Sequence, residues 1–360
     1  MQGKACKQST LVGDKGHATD AGLRTDRQMN STKEDRQCLH SMIKFLSSGA
    51  AGMNDRLLMP TLEIVEGLLQ TRAQIAPKYF YDAAGSALFE QITRLPEYYP
   101  TRTERRIMAA SGEDIAQRVG AGAAVIELGA GSCEKARELC QLLAPTHFVA
   151  VDISTEFLHE AVAQLRVALP GVDVRALAAD LTADVAMPAD LPRSRRLVFY
   201  PGSSIGNFDP AQALELLSRM RCLIDDDGAL LIGVDLRKDV AILEAAYNDA
   251  AGVTAAFNLN VLNHVNRLIG ADFDLSQWRH CAFFNAAESR IEMHLEACVD
   301  TVVRWRGGER RFARGETIHT ENSYKYGTED FVQLLTRAGF ARTQVWSDDR
   351  AWFALFLARP

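Results

Sequence analysis

Short apolar runs alternate with helical periodicities through the middle of the chain. The apolar runs are nearly continuous, which is typical of strands covered on both faces of a parallel sheet. They span residues 123–130, 147–154, 172–178, 196–201 and 229–236. Amphipathic helical patterns separate them at 134–143, 155–169 and 210–222. This alternation predicts a doubly wound α/β sheet.

Aromatic and aliphatic residues dominate the segment before this alternation. Apolar positions at helical spacing predict a helix over residues 57–73. Pro96 and Pro100 then bracket two tyrosines in a stretch that we expect to be non-helical, because proline interrupts helical hydrogen bonding. Thr103 is placed to cap the next helix, which should run to about Val119.

A different pattern follows the last of these strands. Residues 241–262 have a helical period with an interruption at Gly252. The period-two alternation over 290–305 predicts one half-buried antiparallel strand. A helix over 328–338 is then expected to end at Gly339.

Two β-rich runs at the C-terminus, 344–346 and 352–358, predict an antiparallel hairpin that closes the sheet. The expected fold is therefore α/β, with a doubly wound, seven-stranded sheet, a C-terminal antiparallel hairpin and a second, smaller α+β domain. The expected domains are the sheet domain, 104–237 and 326–360, and a substrate-binding domain, 56–103 and 238–325.

The first 55 residues differ in composition from the rest of the chain. They contain few aliphatic side chains and no sustained period. Such a segment buries too little apolar surface to offset the entropy of ordering, so we expect a disordered extension over residues 1–55. An alternative hypothesis is that the natural protein starts at Met53.

Overall composition narrows the class of partner. Of the 360 residues, 47% are apolar and 24% charged, as in globular proteins. A net charge of −6 argues against nucleic acid, because phosphate binding needs a cationic surface. Seven cysteines without C-x-x-C spacing predict reduced thiols and a cytoplasmic location. No apolar run approaches the roughly 18 residues of a membrane span, and no metal-ligand pattern is found, so neither a membrane nor a metal partner is expected.

A glycine loop, Gly129-Ala130-Gly131-Ser132, follows the first strand of the alternation. Glycine lets the backbone turn sharply and approach a ligand. Asp152 ends the next strand, about 20 residues on, where an acidic side chain accepts hydrogen bonds from ribose hydroxyls. Glu134 stands where a dinucleotide-binding loop has glycine, and its charge would repel a pyrophosphate. A phosphate-free nucleoside cofactor, such as S-adenosylmethionine, is favoured.

Two further residues extend this cofactor hypothesis. Lys135 is placed to pair with the cofactor's carboxylate, and Asp180, at the end of the third strand, to meet the adenine amine. Each feature has a simpler interpretation: a tight turn for the glycines, a solvated helix lysine for Lys135 and a loop cap for Asp180. Their occurrence at successive strand ends favours the binding site.

Five longer motifs occur in order between residues 57 and 360. They read KYFYD (78–82), ITRLPEYYPTRTE (92–104), ELGAGSCEK (127–135), PGSSIGN (201–207) and AYNDAAGVTAAFN (246–258). These segments resemble the L-histidine Nα-methyltransferases of ergothioneine biosynthesis, which use S-adenosylmethionine. The resemblance implies that L-histidine is the substrate and that trimethylhistidine (hercynine) forms in three successive transfers.

The resemblance also implies two sets of binding residues. The methyl donor is assigned to Gly129, Lys135, Asp152, Asp180 and Leu181. The histidine pocket is assigned to Tyr98, Asn207, Tyr247, Met293, Glu321 and Ser323. The chain departs from the family at Leu181, where relatives often have phenylalanine, and a one-residue difference in spacing leaves either Tyr98 or Tyr99 facing the substrate.

The expected roles follow from the chemistry of methyl transfer to an amine. Tyr81 and Asn207 are the candidate catalytic residues, since they would orient the amine lone pair. Tyr247, together with Asn207, would bind the carboxylate. Glu321 and Ser323 would pair with the imidazole nitrogens, and a site that pairs both nitrogens rejects other side chains.

Simpler interpretations apply here too. Tyr98 and Tyr247 are also suited to packing, Met293 to the core, and Glu321 to the surface. The alternative functions are methylation of another amino acid or amine and a non-catalytic, cofactor-binding regulator. A monomer is expected.

Overall fold

The computed structural model describes residues 55–181, 183 and 185–360. The predicted extension lies outside the described residues except for Asp55, which begins the first helix. The helices are α1 (Asp55–Leu69), α2 (Ala83–Ile92), α3 (Tyr99–Val119), α4 (Glu134–Leu143), α5 (Thr155–Ala168), α6 (Pro210–Cys222), α7 (Val240–Ala245), α8 (Val253–Ile269) and α9 (Thr328–Arg337). The strands are β1 (Ala73–Gln74), β2 (Ala124–Leu128), β3 (His147–Asp152), β4 (Asp173–Ala178), β5 (Arg196–Tyr200), β6 (Ala229–Asp235), β7 (Trp278–Asn285), β8 (Arg290–Ala297), β9 (Thr301–Trp305), β10 (Gly308–Phe312), β11 (Thr317–Tyr324), β12 (Arg342–Ser347) and β13 (Phe353–Arg359). None of these helices is long and apolar enough to cross a membrane.

The larger sheet has seven strands in the order β12-β13-β6-β5-β2-β3-β4. Strands β2 to β6 are parallel to one another, whereas β13 is antiparallel to both β6 and β12. Helices α3, α4 and α5 contribute to the core on one face, and α6 and α9 to the core on the other. The prediction of a doubly wound, seven-stranded α/β sheet is confirmed.

The continuous apolar runs became strands because helices cover both faces of this sheet. Every residue of β2, β5 and β6 is buried, as expected for strands inside a three-layer α/β fold. Two buried carboxylates interrupt these runs near the strand ends, Glu127 in β2 and Asp235 in β6. Both line cavities at the carboxyl edge of the sheet.

The smaller sheet has four strands in the order β1-β11-β8-β7, and β9 pairs with β10 in a separate hairpin. Its core side packs against helices α1 and α8 through residues such as Ile64, Val261 and Leu295. This sheet carries the distal part of the candidate site, on β8 and β11. The division into the two predicted domains stays a prediction.

Several element boundaries differ from the predictions. Helix α3 begins at Tyr99 rather than after a Thr103 cap, with Pro100 in its first turn. Proline is tolerated there because first-turn N–H groups have no intrahelical partner. The strand predicted over 290–305 is two strands in different sheets, separated by a bend at residues 298–300.

The other two predicted helices also need correction. Helix α1 ends at Leu69, short of residue 73, and the chain then adds the two-residue strand β1 alongside β11. The pattern over 241–262 is two helices, α7 and α8, and Gly252 (φ +73°) precedes the second. A left-handed backbone conformation of this kind suits glycine, which explains the break.

Candidate active site

A cavity of about 560 Å³ opens at the carboxyl ends of the parallel strands. Its volume lies in the usual range for small-ligand sites. The location is the topological switch point between β2 and β5, where α/β sheets bind ligands. The predicted cofactor residues all line it: Gly129, Lys135, Asp152, Asp180 and Leu181.

The glycine loop owes its shape to its backbone conformation and to Asp152. Gly129 and Gly131 have φ of +69° and +52°, values that side-chain-bearing residues rarely adopt. The Asp152 carboxylate accepts hydrogen bonds from the backbone N–H of Gly131 (3.0 Å) and of Ser154 (2.9 Å). Asp152 therefore fixes the loop while lining the cavity, and its contact with a ribose stays a prediction.

Lys135 is a paired, half-buried lysine. Its Nζ lies 2.6 Å from Oε2 of Glu104, a carboxylate buried in α3. The other oxygen of Glu104 accepts a hydrogen bond from the backbone N–H of Gly202 (3.0 Å). The ammonium group is thus held at the cavity wall, and the alternative of a solvated helix lysine is wrong.

Asp180 is held by a lysine that the sequence analysis did not single out. Lys78 Nζ lies 3.0 Å from the Asp180 carboxylate and 2.7 Å from that of Glu63. Lys78 opens the KYFYD motif, which was the available clue. The ion pair between Lys78 and Asp180 joins the segment before α2 to the loop that follows β4.

Two further carboxylates bear on the kind of cofactor. Glu134 pairs with Arg105 (2.5 Å), so its negative charge is partly neutralised. Glu127 lines the cavity with one oxygen that has no hydrogen-bond partner among the described residues, and burial raises the pKa of its carboxyl. An unpaired, buried carboxylate suits a cationic group on a ligand and opposes a phosphate. These residues fit S-adenosylmethionine, which carries an ammonium and a sulfonium.

A second, smaller cavity continues from the first. The two share Tyr81, Phe89, Tyr98, Gly202, Ser204 and Asn207. The smaller cavity reaches the second sheet at Tyr247, Met293, Glu321 and Ser323. The structure therefore brings together every residue predicted for the substrate pocket, from elements far apart in the sequence.

The structure distinguishes the two adjacent tyrosines. Tyr98 precedes α3 and lines both cavities. Tyr99 is 1% exposed and donates its hydroxyl hydrogen to the Asp235 carboxylate (2.7 Å). It also packs edge-on against Trp352. Tyr98 is therefore the tyrosine available to a substrate.

Aromatic rings form the wall near the junction of the cavities. The Phe89 ring lies 5.7 Å from Tyr81, 6.3 Å from Tyr98 and 6.0 Å from Phe257, measured between centroids. Burial raises the pKa of the Tyr81 and Tyr98 hydroxyls, so both stay protonated near neutral pH. Ring faces of this kind attract cations.

The far end of the small cavity is polar. Burial raises the pKa of the Glu321 carboxyl to about 7, although the nearby Lys325 ammonium opposes this shift. The Tyr247 hydroxyl donates to Ser323 Oγ (2.7 Å). Met293 is almost wholly buried and lines the same cavity, so it serves both the core and the pocket wall.

A buried charge cluster under this pocket was missed by the sequence analysis. Asp235 accepts from Lys325 (2.8 Å), Lys238 (2.5 Å) and the Tyr99 hydroxyl. Burial alone would raise the pKa of the Asp235 carboxyl, but the two ammonium groups hold it below its ordinary value. The only clues were a carboxylate ending an apolar strand and a lysine two residues beyond Ser323.

Glu292, His294 and His319 are the described side chains that come close enough together to hold a metal ion. They already have other partners. Glu292 accepts from Arg290, Asn285 and His294, and His319 bonds the backbone oxygen of Glu321. These contacts account for the grouping, and the prediction that no metal is needed stays a prediction.

Comparison with known proteins gives concordant matches. A family model described as "Histidine-specific methyltransferase, SAM-dependent" matches residues 61–360. Histidine N-alpha-methyltransferase of Mycolicibacterium smegmatis is 41% identical, over 82% of this chain and 93% of that protein. The protein of the same name from Mycobacterium tuberculosis is 38% identical, with the same coverage. Ergothioneine biosynthesis protein 1 of Neurospora crassa is 30% identical over 76% of this chain and 32% of that longer protein.

Proposed function

Because the chain belongs to the histidine-specific, S-adenosylmethionine-dependent methyltransferases, we propose that it methylates the α-amino group of L-histidine. The observation that carries this proposal is the pair of connected cavities. One has the residues expected for the methyl donor, and the other ends in groups suited to an imidazole ring. Tyr81, Tyr98 and Asn207 stand where the cavities meet.

The methyl donor is assigned to the larger cavity. We assign the ribose contact to Asp152, the adenine contact to Asp180 and Leu181, and the pairing with the carboxylate to Lys135. Gly129 lets the backbone approach the donor closely. When bound, S-adenosylmethionine supplies an electrophilic methyl group on a sulfonium. The unpaired oxygen of Glu127 supports the presence of a cation in this cavity.

The work of the protein is mainly positional. An uncharged amine attacks the sulfonium methyl in line and displaces S-adenosylhomocysteine, so its nitrogen must be held about 3 to 3.5 Å from that methyl. We assign this orientation to Asn207 and Tyr81, and carboxylate binding to Tyr98 and Asn207. Tyr247, to which the sequence analysis gave the carboxylate, already donates its hydroxyl hydrogen to Ser323, so we assign it to the pocket wall that holds Ser323. Glu321 and Ser323 bind the ring, while Met293 packs beside it. The amine gives up a proton in each round, and solvent can take it.

Successive transfers to the same nitrogen form part of the proposal. Each round makes the head group larger and less able to donate hydrogen bonds, and the last leaves a permanent cation. The rings of Phe89, Tyr81 and Phe257 border the junction and favour such a cation. The product, trimethylhistidine, would serve ergothioneine biosynthesis, as the names of the relatives suggest.

The proposal is tested with S-adenosylmethionine carrying a deuterated methyl group and a panel of amino acids and amines. Mass spectrometry should find up to three labelled methyl groups on the α-nitrogen of histidine and none on the other compounds. Labelling of another amine without labelling of histidine would mean that this amine, and not histidine, is the substrate. Binding of the donor with no turnover on any amine would favour a regulator.

A further inference from the structure

Lys325 lies beneath the polar end of the substrate cavity, and its side chain is 1% exposed. An ammonium group only donates hydrogen bonds. Its Nζ lies 2.8 Å from the Asp235 carboxylate, 2.7 Å from Ser323 Oγ and 3.4 Å from the Tyr247 hydroxyl oxygen. Each of its three hydrogens therefore has an acceptor.

These contacts determine the direction of the Ser323 hydroxyl. A serine hydroxyl has one hydrogen to donate and two lone pairs that accept. Ser323 Oγ accepts from Lys325 and from Tyr247, both at 2.7 Å. Burial raises the pKa of Tyr247, so it keeps the proton that it donates. Both lone pairs of Ser323 are used, and its own hydrogen is left for the cavity that it lines.

We infer that Lys325 makes Ser323 an obligatory hydrogen-bond donor and thereby restricts the site to a neutral imidazole ring. One ring nitrogen, without hydrogen, accepts from Ser323, and the other donates to Glu321. An imidazolium has hydrogen on both nitrogens, so it would place one against the Ser323 hydrogen and its charge near the Lys325 ammonium. This inference rests on the proposed function, since it assumes that the ring lies between Glu321 and Ser323.

The other titratable groups that face the ring site do not account for a preference for the neutral imidazole. Those that face the ring site are Glu321, Lys325, Asp235, Tyr81, Tyr98 and Tyr247. Burial raises the pKa of all three tyrosines, so they stay neutral. Outside the cavity, His319 and His280 hold the backbone oxygens of Glu321 and Tyr247, and burial lowers the pKa of both rings. Glu321 attracts an imidazolium, which leaves Lys325 and Ser323 as the groups that oppose one.

The experiment uses the full chain with S-adenosylhomocysteine and histidine labelled with 15N in the ring. Nitrogen chemical shifts at pH 6.0 report whether the bound ring is neutral. The wild-type protein should show one protonated and one bare nitrogen, although much of the free histidine is protonated at this pH. The dissociation constant should rise at least tenfold from pH 7.5 to 5.5, because the neutral fraction of free histidine falls and because Glu321, with a pKa of about 7, takes up a proton in the free protein.

Lys325→Met removes the ammonium and frees a lone pair on Ser323. The bound ring should then shift toward the protonated form at pH 6.0, and the rise in the dissociation constant should be at least about threefold smaller than in the wild-type protein. Lys238→Met is the matched control, because Lys238 binds the same Asp235 but makes no contact with Ser323. It should keep the wild-type spectrum and pH dependence.

The wild-type spectrum tests the inference even where Lys325→Met fails to fold. A bound imidazolium in the wild-type protein would overturn it, as would a folded Lys325→Met protein with an unchanged spectrum and pH dependence. Both results would leave histidine as the substrate. Absence of any histidine binding to the wild-type protein would overturn the proposed function as well.

Discussion

Glu321 shows how far surroundings change a residue's chemistry. Burial raises the pKa of its carboxyl from 4.5 to about 7. The folded protein therefore binds more protons than the unfolded chain between these pH values. The stability that this provides is fully present below pH 4.5 and is lost as the pH rises through about 7.

Glu321→Gln should remove this pH dependence. Between pH 4.5 and 7.5 the free energy of unfolding of the wild-type protein should fall relative to the variant by up to about 3 kcal/mol, because one pKa unit corresponds to about 1.4 kcal/mol. Urea unfolding of both proteins across this range measures the difference. A constant difference would mean that the carboxyl titrates normally.

The same substitution should weaken histidine recognition. Loss of a hydrogen bond to a charged group costs about 1.5 to 3 kcal/mol, so the KM for histidine should rise roughly 10- to 100-fold. The KM for the methyl donor should change little, because Glu321 does not line the larger cavity. Glu296→Gln is the control, since this carboxylate pairs with Arg279 away from the pocket; an equal effect there would contradict a specific role.

Tyr98 and Tyr99 should differ sharply when each is replaced by phenylalanine. Tyr98→Phe removes a hydroxyl from the cavity wall and should raise the KM for histidine with little change in stability. Tyr99→Phe removes a donor from the buried Asp235 carboxylate and should lower the free energy of unfolding by about 1 to 3 kcal/mol. Steady-state kinetics and urea unfolding separate the two effects, and the reverse assignment would show that Tyr99 serves the substrate.

At the scale of elements, a short 3₁₀ turn brings Asn207 close to β11, the strand that carries Glu321 and Ser323. The turn, Ser204–Asn207, packs against β11. A Cβ added at Gly206 would lie 2.9 Å from the backbone oxygen of Tyr324. The φ of Gly206 is not positive, so an unusual backbone conformation does not explain the glycine. Glycine is needed here because two backbones approach each other closely.

Gly206→Ala should therefore push the turn away from β11 and displace Asn207. We expect kcat/KM to fall at least tenfold and the melting temperature to drop by several degrees. Gly112→Ala is the control, because the added Cβ would meet only the end of the flexible Leu142 side chain, and alanine favours a helix. Equal losses in both variants would argue against backbone contact as the cause.

Helices and strands could be predicted from the sequence where the burial of their residues follows one pattern over the full length of the element. Strands β2, β5 and β6 are buried on both faces, and their apolar runs gave boundaries within two residues of those observed. The run over 290–305 was misassigned because its alternation continues through the bend that separates β8 from β9. Helix α3 was predicted to start late because Pro96 and Pro100 were both taken as breaks, although proline suits a first turn.

At the scale of the molecule, cofactor and substrate residues were predictable to different degrees. Gly129, Asp152 and Asp180 could be located because strand ends of a parallel sheet meet at one edge. The substrate pocket rested on the family resemblance. The contact between Asp235 and Lys325 was not predictable, because it joins β6 to a residue beyond β11 in another sheet. The spacing of residues along the chain gives no information about a contact between two residues so far apart in sequence.

The described residues that line the two cavities begin at Glu63, and the family match begins at residue 61. A chain that starts at Met53 should therefore keep the kcat and both KM values of the full chain within about twofold, a change of roughly 0.4 kcal/mol. Steady-state kinetics of the two proteins, at equal concentration, test this. A larger loss would place residues 1–52 in contact with the site or its supports.

The wall shared by the two cavities has a consequence for how the ligands influence each other. Tyr81, Phe89, Tyr98 and Asn207 contribute surface to both cavities. A ligand that shifts or immobilises them in one cavity changes the energy of filling the other. Thermodynamic linkage makes this influence mutual. If the bound donor raises the affinity for histidine, bound histidine must raise the affinity for the donor by the same factor. The residues shared by the two cavities therefore predict that each ligand changes the dissociation constant of the other by one common factor.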